Sequence, residues 1–314
     1  MRQIKAVIVD PQATGRLVLG TVDAPIPAKN EALIRVAAIS LNRGEVNGAM
    51  SAAAGARPGW DIAGTVEQAA ADGSGPPRGA RVVGFLPTGA WAELVAVPTH
   101  AVAMLPDGVS FAQAAALPVA GLTALYALEQ GGSLLGRTVL ITGASGGAGN
   151  FAIQLARAAG ARVVGVVRQA AHADAARAAG AHEVVVSDDG AATAEYGPYD
   201  LIIDSVGGKL LGTIMGQVAR GGTIVNFGTS AGSEVTFDLR RFFPVGGVKL
   251  YGFILFDEVT RHPAGQGLAR LAALVADGRL TPHIDREAPW TEIATVAREL
   301  LDRRYTGKAV LTLD

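Results

Sequence analysis

Val139-Leu-Ile-Thr-Gly-Ala-Ser-Gly-Gly-Ala-Gly-Asn150, running on into Phe151-Ala-Ile-Gln-Leu-Ala156, is the stretch on which the fold turns. A short apolar run ends in glycines at 143, 146, 147 and 149, and an amphipathic helical pattern starts at once. Strand, glycine turn and helix in that order make a phosphate cradle. The glycines allow a tight turn and close backbone approach, and free N–H groups at the helix N-terminus receive the anionic charge.

The same residues satisfy several patterns. Ala144-x-Gly146-x-x-Gly149 approximates the dinucleotide fingerprint, with alanine in the first glycine position. Thr142-Gly143-x-x-x-Gly147-x-Gly149 matches the loop of short-chain dehydrogenases, and Gly143-x-Ser145-x-Gly147 matches a hydrolase nucleophile elbow. A fourth possibility is that the glycines merely tighten a strand–helix turn. A short-chain enzyme places this loop near its N-terminus and needs Tyr-x-x-x-Lys. None of Tyr126, Tyr196, Tyr199, Tyr251 and Tyr305 has a lysine four residues on. A hydrolase needs an acid and a histidine after its serine. Asp204 and His283 follow in that order, but no motif surrounds His283. Context therefore favours the dinucleotide.

The end of the next strand bears on which dinucleotide. An acidic residue there would hold the ribose 2′-hydroxyl of NAD. The strand ends instead in Val166-Val167-Arg168-Gln169, with no acid until Asp174. The planar fork of an arginine suits a 2′-phosphate, so the expected cofactor is NADPH.

Composition sets the outer limits. At 314 residues the chain exceeds the roughly 250–300 at which single cores stop growing, so two domains are expected. A net charge of −1 gives no electrostatic reason to expect nucleic acid or an anionic membrane as partner. With no cysteine, disulfides, thiolate chemistry and cysteine-bound zinc are excluded. The apolar run near Met1 is too short for a signal peptide, and Gly108–Leu128 reads as a buried loop and helix and not as a membrane span. A cytoplasmic protein is expected.

Residues 1 to about 115 read as β-rich, with short runs at Ala6–Val9, Glu31–Ile39, Gly64–Glu67, Arg81–Phe85 and Ala92–Val97 between turn clusters. Asp72–Gly79 is a hairpin loop by composition. From about 118 to 256, strands and helices alternate, which predicts a parallel sheet with crossovers. Its strands are expected at Val139–Thr142, Arg162–Arg168, Glu183–Val186, Leu201–Asp204, Thr223–Phe227 and Tyr251–Phe256. Afterwards come a helix over Gly265–Asp277, a strand-like Leu280–Ile284, a helix over Thr291–Asp302 and a strand over Lys308–Leu313.

Several segments in sequence order carry a family resemblance: Ser40-Leu-Asn-Arg-Gly-Glu45, Pro58-Gly-Trp-Asp-Ile-Ala-Gly-Thr-Val66, Gly89-Ala-Trp-Ala-Glu93, Ala114–Pro118, Gly121–Ala124, the glycine loop, Asp204-Ser-Val-Gly-Gly208 and Gly307-Lys308. Over nearly its whole length the chain resembles the zinc-independent medium-chain dehydrogenases/reductases of the quinone oxidoreductase type, to which zeta-crystallin belongs. The resemblance implies an α/β fold with a GroES-like β-barrel catalytic domain, residues 1–117 and 257–314. An inserted Rossmann domain, a doubly wound parallel sheet binding the dinucleotide, would span 118–256. It also implies a homodimer joined at the Rossmann sheet edge, near Tyr251–Phe256. Zinc-bearing relatives have a cysteine ligand where this chain has Asn42, and Gly-His-Glu where it has Gly59-Trp60-Asp61. No metal is expected, so zinc-assisted alcohol oxidation is not expected either.

The implied reaction is hydride transfer from NADPH, lying across an interdomain cleft, to a quinone or an α,β-unsaturated carbonyl. An enoyl-thioester reductase of lipid or polyketide metabolism and a non-catalytic NADPH-binding regulatory protein are the alternatives. Asn42 is expected to donate its amide to the substrate carbonyl or the nicotinamide ribose, and Thr123 to contact the nicotinamide. Glu45 is the nearby carboxylate that resembles a proton donor, and Trp60 and Phe227 are candidate cleft walls. Ser145, Gly146, Gly147, Ala148 and Gly149 are expected at the pyrophosphate, and Val206, Phe227 and Gly228 along the adenosine and nicotinamide path. Phe253 and Ile254 would meet the nicotinamide amide through backbone atoms, and Arg303 would join Arg168 at the 2′-phosphate.

Overall fold

The structure, a computed structural model, describes residues 2–313. Met1 and Asp314, the ends of the expected barrel domain, lie outside the described residues. The chain divides into two compact units, Met1–Leu122 with Val259–Asp314, and Thr123–Glu258.

The first unit opens with strands β1 (Gln3–Val9) and β2 (Leu17–Asp23), an antiparallel pair. β3 (Glu31–Leu41), helix α1 (Arg43–Ser51), β4 (Asp61–Gln68), β5 (Arg81–Phe85), β6 (Leu94–Pro98) and β7 (Val102–Met104) follow. Helix α2 (Phe111–Ala115) comes next, and α3 (Pro118–Glu129) runs from the first unit into the second, which begins at Thr123. Gly108–Leu128 is thus two short helices, and no described helix is long and apolar enough to cross a membrane.

In the second unit, β8 (Thr138–Thr142), α4 (Gly147–Ala158), β9 (Arg162–Val167), α5 (Ala173–Ala178) and β10 (Glu183–Val186) form its first half. β11 (Tyr199–Asp204), α6 (Gly208–Ile214), β12 (Val218–Asn226), β13 (Lys249–Gly252) and α7 (Leu255–Arg261) form the second. The strands make one six-stranded sheet in the order β10-β9-β8-β11-β12-β13, every pair parallel. This is the doubly wound order whose direction reverses between β8 and β11, and ligands bind beyond the carboxyl ends of the strands at that switch. The central strands are buried on both faces, as a sheet covered by helices requires. Leu140, Val164, Ile202 and Ile224 pack with Leu210, Leu211 and Ile214 of α6.

The chain then returns to the first unit through α8 (Ala264–Ala276), β14 (Ile284–Pro289), α9 (Ile293–Leu301) and β15 (Lys308–Thr312). β15 pairs antiparallel with β3, inside the sheet β14-β15-β3-β4-β5-β7, with β6 also on β3. The C-terminal strand therefore sits beside Ser40 and Leu41, and Lys308 begins that strand.

Two expected strands are corrected. The apolar run Tyr251–Phe256 holds a strand only through Gly252. Asp257 and Glu258 stand in the first turn of α7, where the helix dipole favours acids, and the Ile254 carbonyl accepts their N–H groups. Leu280–Ile284 is largely irregular, because Pro282 lacks an N–H, and β14 starts at Ile284. As an edge strand it carries Asp285, Arg286 and Glu287, which hid it from an apolar-pattern search.

Candidate functional site

The glycine loop leaves the end of β8 and enters α4 with Gly146 as N-cap, and no side chain caps this helix. Its first-turn N–H groups are thus left for an anion. Two glycines are required by geometry. Gly143 has φ +59°, and a Cβ there would lie 2.4 Å from Ser205 Oγ. A Cβ on Gly149 would lie 2.2 Å from the Gly143 carbonyl oxygen, so α4 can approach its strand this closely only without one. Ser145, Gly146, Gly147 and Ala148 are half-buried along the turn. Arg168, directly after β9, is exposed and forms no ion pair among the described residues.

A polar knot holds the carboxyl ends of β8, β11 and β12 together. Buried Asp204 accepts from Thr142 Oγ1 at 2.6 Å, from the Gly207 N–H at 2.9 Å and from Asn226 Nδ2 at 2.7 Å. Thr142 Oγ1 in turn accepts the Ser205 N–H at 3.1 Å, and Asn226 Nδ2 also donates to the Gly228 carbonyl at 2.8 Å. Both Asp204 oxygens are engaged, with no histidine among these partners, so it does not serve as a hydrolase acid. Sequence reasoning quoted Asp204–Gly208 as a motif but missed this role. The available signal was an acid at a strand end facing a threonine at the end of the neighbouring strand.

Val206, Phe227 and Gly228 are half-buried just beyond these strand ends. Phe227 meets Phe253 edge-on, with ring centroids 6.2 Å apart. Phe253 is buried and its N–H is already given to the Asn226 carbonyl at 2.8 Å. Ile254 is 64% exposed, and its carbonyl starts α7. The expected backbone contacts of this pair are therefore narrowed to the Phe253 carbonyl and the Ile254 N–H. Thr123 lies buried on α3.

In the first unit, Asn42 and Glu45 meet at the start of α1, as N-cap and third helical residue. Glu45 Oε1 accepts the Asn42 N–H at 2.7 Å and Asn42 Nδ2 at 2.9 Å. Asn42 Nδ2 also donates to Asp61 Oδ2 at 2.7 Å, and Asn42 Oδ1 accepts from Lys308 Nζ at 2.6 Å. Asp61 takes further bonds from Ser40 Oγ at 2.7 Å, from Lys308 Nζ at 3.3 Å and from the Val119 N–H of α3 at 3.0 Å. The expectation that Asn42 donates its amide to a substrate is corrected, since an amide has two N–H bonds and both are spent inside the protein.

Glu45 is not an exposed helix-start charge; it is only 4% exposed. Burial pushes its carboxyl well above the ordinary range and Asp61 adds to the push, while Lys308 and the bonds from Asn42 oppose it. Its Oε2 is buried without a hydrogen-bond partner. Oε1 accepts two N–H bonds, so a proton taken up by this carboxyl would sit on Oε2. Trp60 is half-buried beside α1, so close that a Cβ on Gly44 would lie 3.0 Å from its ring.

Arg303 belongs to the first unit and Arg168 to the second. Arg303 closes α9 with φ +57°, and the N–H groups of Arg303 and Arg304 return to the carbonyls of Leu300 and Glu299. Glycine is the usual residue at such a cap. Among the described residues, no group of three or more His, Asp or Glu is placed to hold a metal ion.

Residues 28–107 match the family described as alcohol dehydrogenase GroES-like domain, and residues 147–272 match that described as zinc-binding dehydrogenase. Fold and matches together define a medium-chain dehydrogenase/reductase, a GroES-like domain with a Rossmann domain. The quinone oxidoreductase of Pseudomonas aeruginosa is 33% identical over 72% of this chain and 72% of its own length. The NorB protein of the Streptomyces orinoci spectinabilin polyketide synthase system is 33% identical over 94% of this chain, which spans only 14% of NorB. A mycobacterial protein solved in complex with NADPH superposes with a TM-score of 0.86 at 26% identity, over 98% of this chain and 99% of that one. The chain belongs to the zinc-independent quinone oxidoreductase family and is an oxidoreductase.

Proposed function

We propose that the protein is an NADPH-dependent oxidoreductase acting on a quinone or an α,β-unsaturated carbonyl. The observation that carries this reading is the side-chain-free N-terminus of α4 at the sheet's switch point, closed to any Cβ at Gly143 and Gly149. The NADPH complex of the mycobacterial relative supports the cofactor. When bound, NADPH supplies a hydride. Ser145–Gly149 hold the pyrophosphate, received by the first-turn N–H groups of α4 since the Gly146 N–H is given to the Gly143 carbonyl, and the exposed Arg168 guanidinium pairs with the 2′-phosphate. The Asp204 knot keeps the three strand ends rigid beneath that cradle. Phe227 and Phe253 give the site an apolar edge that keeps water away from the transfer.

The match to NorB favours a second reading, reduction of an enoyl thioester. Purified protein given NADPH and, separately, 1,4-benzoquinone, a simple enone and a crotonyl thioester separates the two. Consumption with the first two acceptors supports the proposal, and consumption with the thioester alone supports the second reading. Binding without turnover of any acceptor refutes both. A homodimer through the free edge of β13, where Leu250 is 57% exposed and Ile254, just after the strand, 64%, and a cytoplasmic setting belong to the same proposal.

A further inference from the structure

Arg16, Arg43, Arg57, Arg81 and Arg286 are half-buried arginines of the first unit. All but Arg57 reach acceptors within the fold. Arg16 Nη2 donates to the Ala52 carbonyl, Arg43 to the Leu300 and Leu301 carbonyls and Arg81 to the Val109 carbonyl, while Arg286 pairs with Glu292 and Glu299. The Arg57 guanidinium makes no hydrogen bond or ion pair among the described residues, and its Nε is buried. Unmet N–H bonds on a half-buried cation disfavour the fold until an anion meets them.

Arg57 lines an open cavity of about 460 Å³ whose lining residues all belong to the first unit. Cavities of about 300–1,000 Å³ are the size that holds small ligands. The backbone at Arg57 is fixed there, because its carbonyl accepts from Thr88 Oγ1 at 2.7 Å and from the Gly89 N–H at 2.9 Å, both on the same lining. Pro25, Leu86, Val95 and Ala96 supply apolar walls, and no acid stands among the lining residues. Ile26, which follows Pro25 in the chain, is 84% exposed, an uncovered apolar side chain next to that wall in sequence.

This lining selects among anions. The planar fork of a guanidinium pairs with both oxygens of a carboxylate, and a hydrocarbon body would cover the apolar walls. Inorganic phosphate has no apolar part to bury, and as a dianion it calls for a second cation that the lining lacks. We propose that the cavity binds a small organic carboxylate with a hydrocarbon body, anchored by Arg57. The site goes beyond hydride transfer and uses none of the residues assigned to the dinucleotide.

The test titrates protein labelled with 15N at arginine with 4-phenylbutyrate, and in separate arms with 4-phenylbutyramide and inorganic phosphate. The carboxylate is expected to saturate with a Kd below about 1 mM and to shift the Arg57 Nε–H resonance, assigned through Arg57→Gln. The amide, with the same body and no charge, is expected to bind roughly tenfold or more weakly, as for loss of a hydrogen bond to a charged group. Arg57→Gln weakens the carboxylate by a similar factor and leaves NADPH titration unchanged. Arg57→Lys keeps the charge without the fork and falls between. The proposal is overturned if the carboxylate does not saturate, if it saturates without moving the Arg57 resonance, if the amide binds as tightly, or if phosphate binds more tightly. All four readings are made on the wild type, so none needs a variant to fold. Absence of NADPH turnover would count against the proposed function and leave this binding result standing.

Discussion

Replacing Glu45 by glutamine should remove a pH-dependent weakness from the first unit. In the fold, Glu45 Oε1 accepts two N–H bonds from Asn42, and Oε2 is buried without a partner. Glutamine keeps an acceptor oxygen at Oε1 and removes the titrating group. Burial, and then Asp61, raise the carboxyl's pKa in the folded protein. The folded state thus binds this proton more tightly than the unfolded chain does, so Glu45 costs stability as pH rises above its unfolded value of about 4.3. The loss accumulates at up to about 1.4 kcal/mol per pH unit and levels off once pH passes the folded value. Glutamine has no such term, so the stability difference between Glu45→Gln and wild type should grow in the variant's favour along that slope. Urea denaturation at a series of pH values from about 4.5 to 8, followed by tryptophan fluorescence, reads it directly. Trp60, Trp91 and Trp290 are the only tryptophans and all lie in the first unit with Glu45, so the signal reports the relevant unfolding. Taking the difference cancels every other titrating group. Stability curves that run parallel across the range, or converge as pH rises, would refute a raised carboxyl pKa at Glu45.

Arg168→Ala should weaken NADPH binding by about 1–3 kcal/mol, as for loss of a bond to a charged group, and barely affect NADH. Calorimetry with both cofactors checks this, and equal weakening would reject the 2′-phosphate role. Gly149→Val should cost about 1–3 kcal/mol by overpacking against the Gly143 carbonyl and should open the phosphate turn, lowering both the melting temperature and NADPH affinity. Normal NADPH titration of that variant would show that the close approach is not needed. Leu250→Glu places a charge on the free edge of β13 and should convert the proposed dimer to monomer in sedimentation. A wild-type monomer, or a variant that stays dimeric, would place the interface elsewhere or remove it.

Local pattern was enough wherever a segment's own residues set its conformation. The strand–glycine–helix unit, the alternation of strands and helices, and Arg168 at a strand end were all legible, because backbone permissiveness and side-chain period act within a few residues. Boundaries were lost where a run such as Tyr251–Phe256 is apolar under either period, and where β14, at a sheet edge, carries exposed charges. Asn42 shows the limit most clearly. Its residue type and place in sequence suggested an amide donor to a ligand, yet its side chain bonds Glu45, Asp61 on a neighbouring strand, and Lys308, 266 positions away. Glu45 likewise resembles a proton donor in sequence, but its burial and its nearness to Asp61 and Lys308 come only from the fold. Sequence alone determined the two-domain class and the strand–glycine–helix turn. Only the tertiary structure decided which hydrogen bonds of the polar cluster are already spent, because that depends on groups brought together from distant parts of the chain.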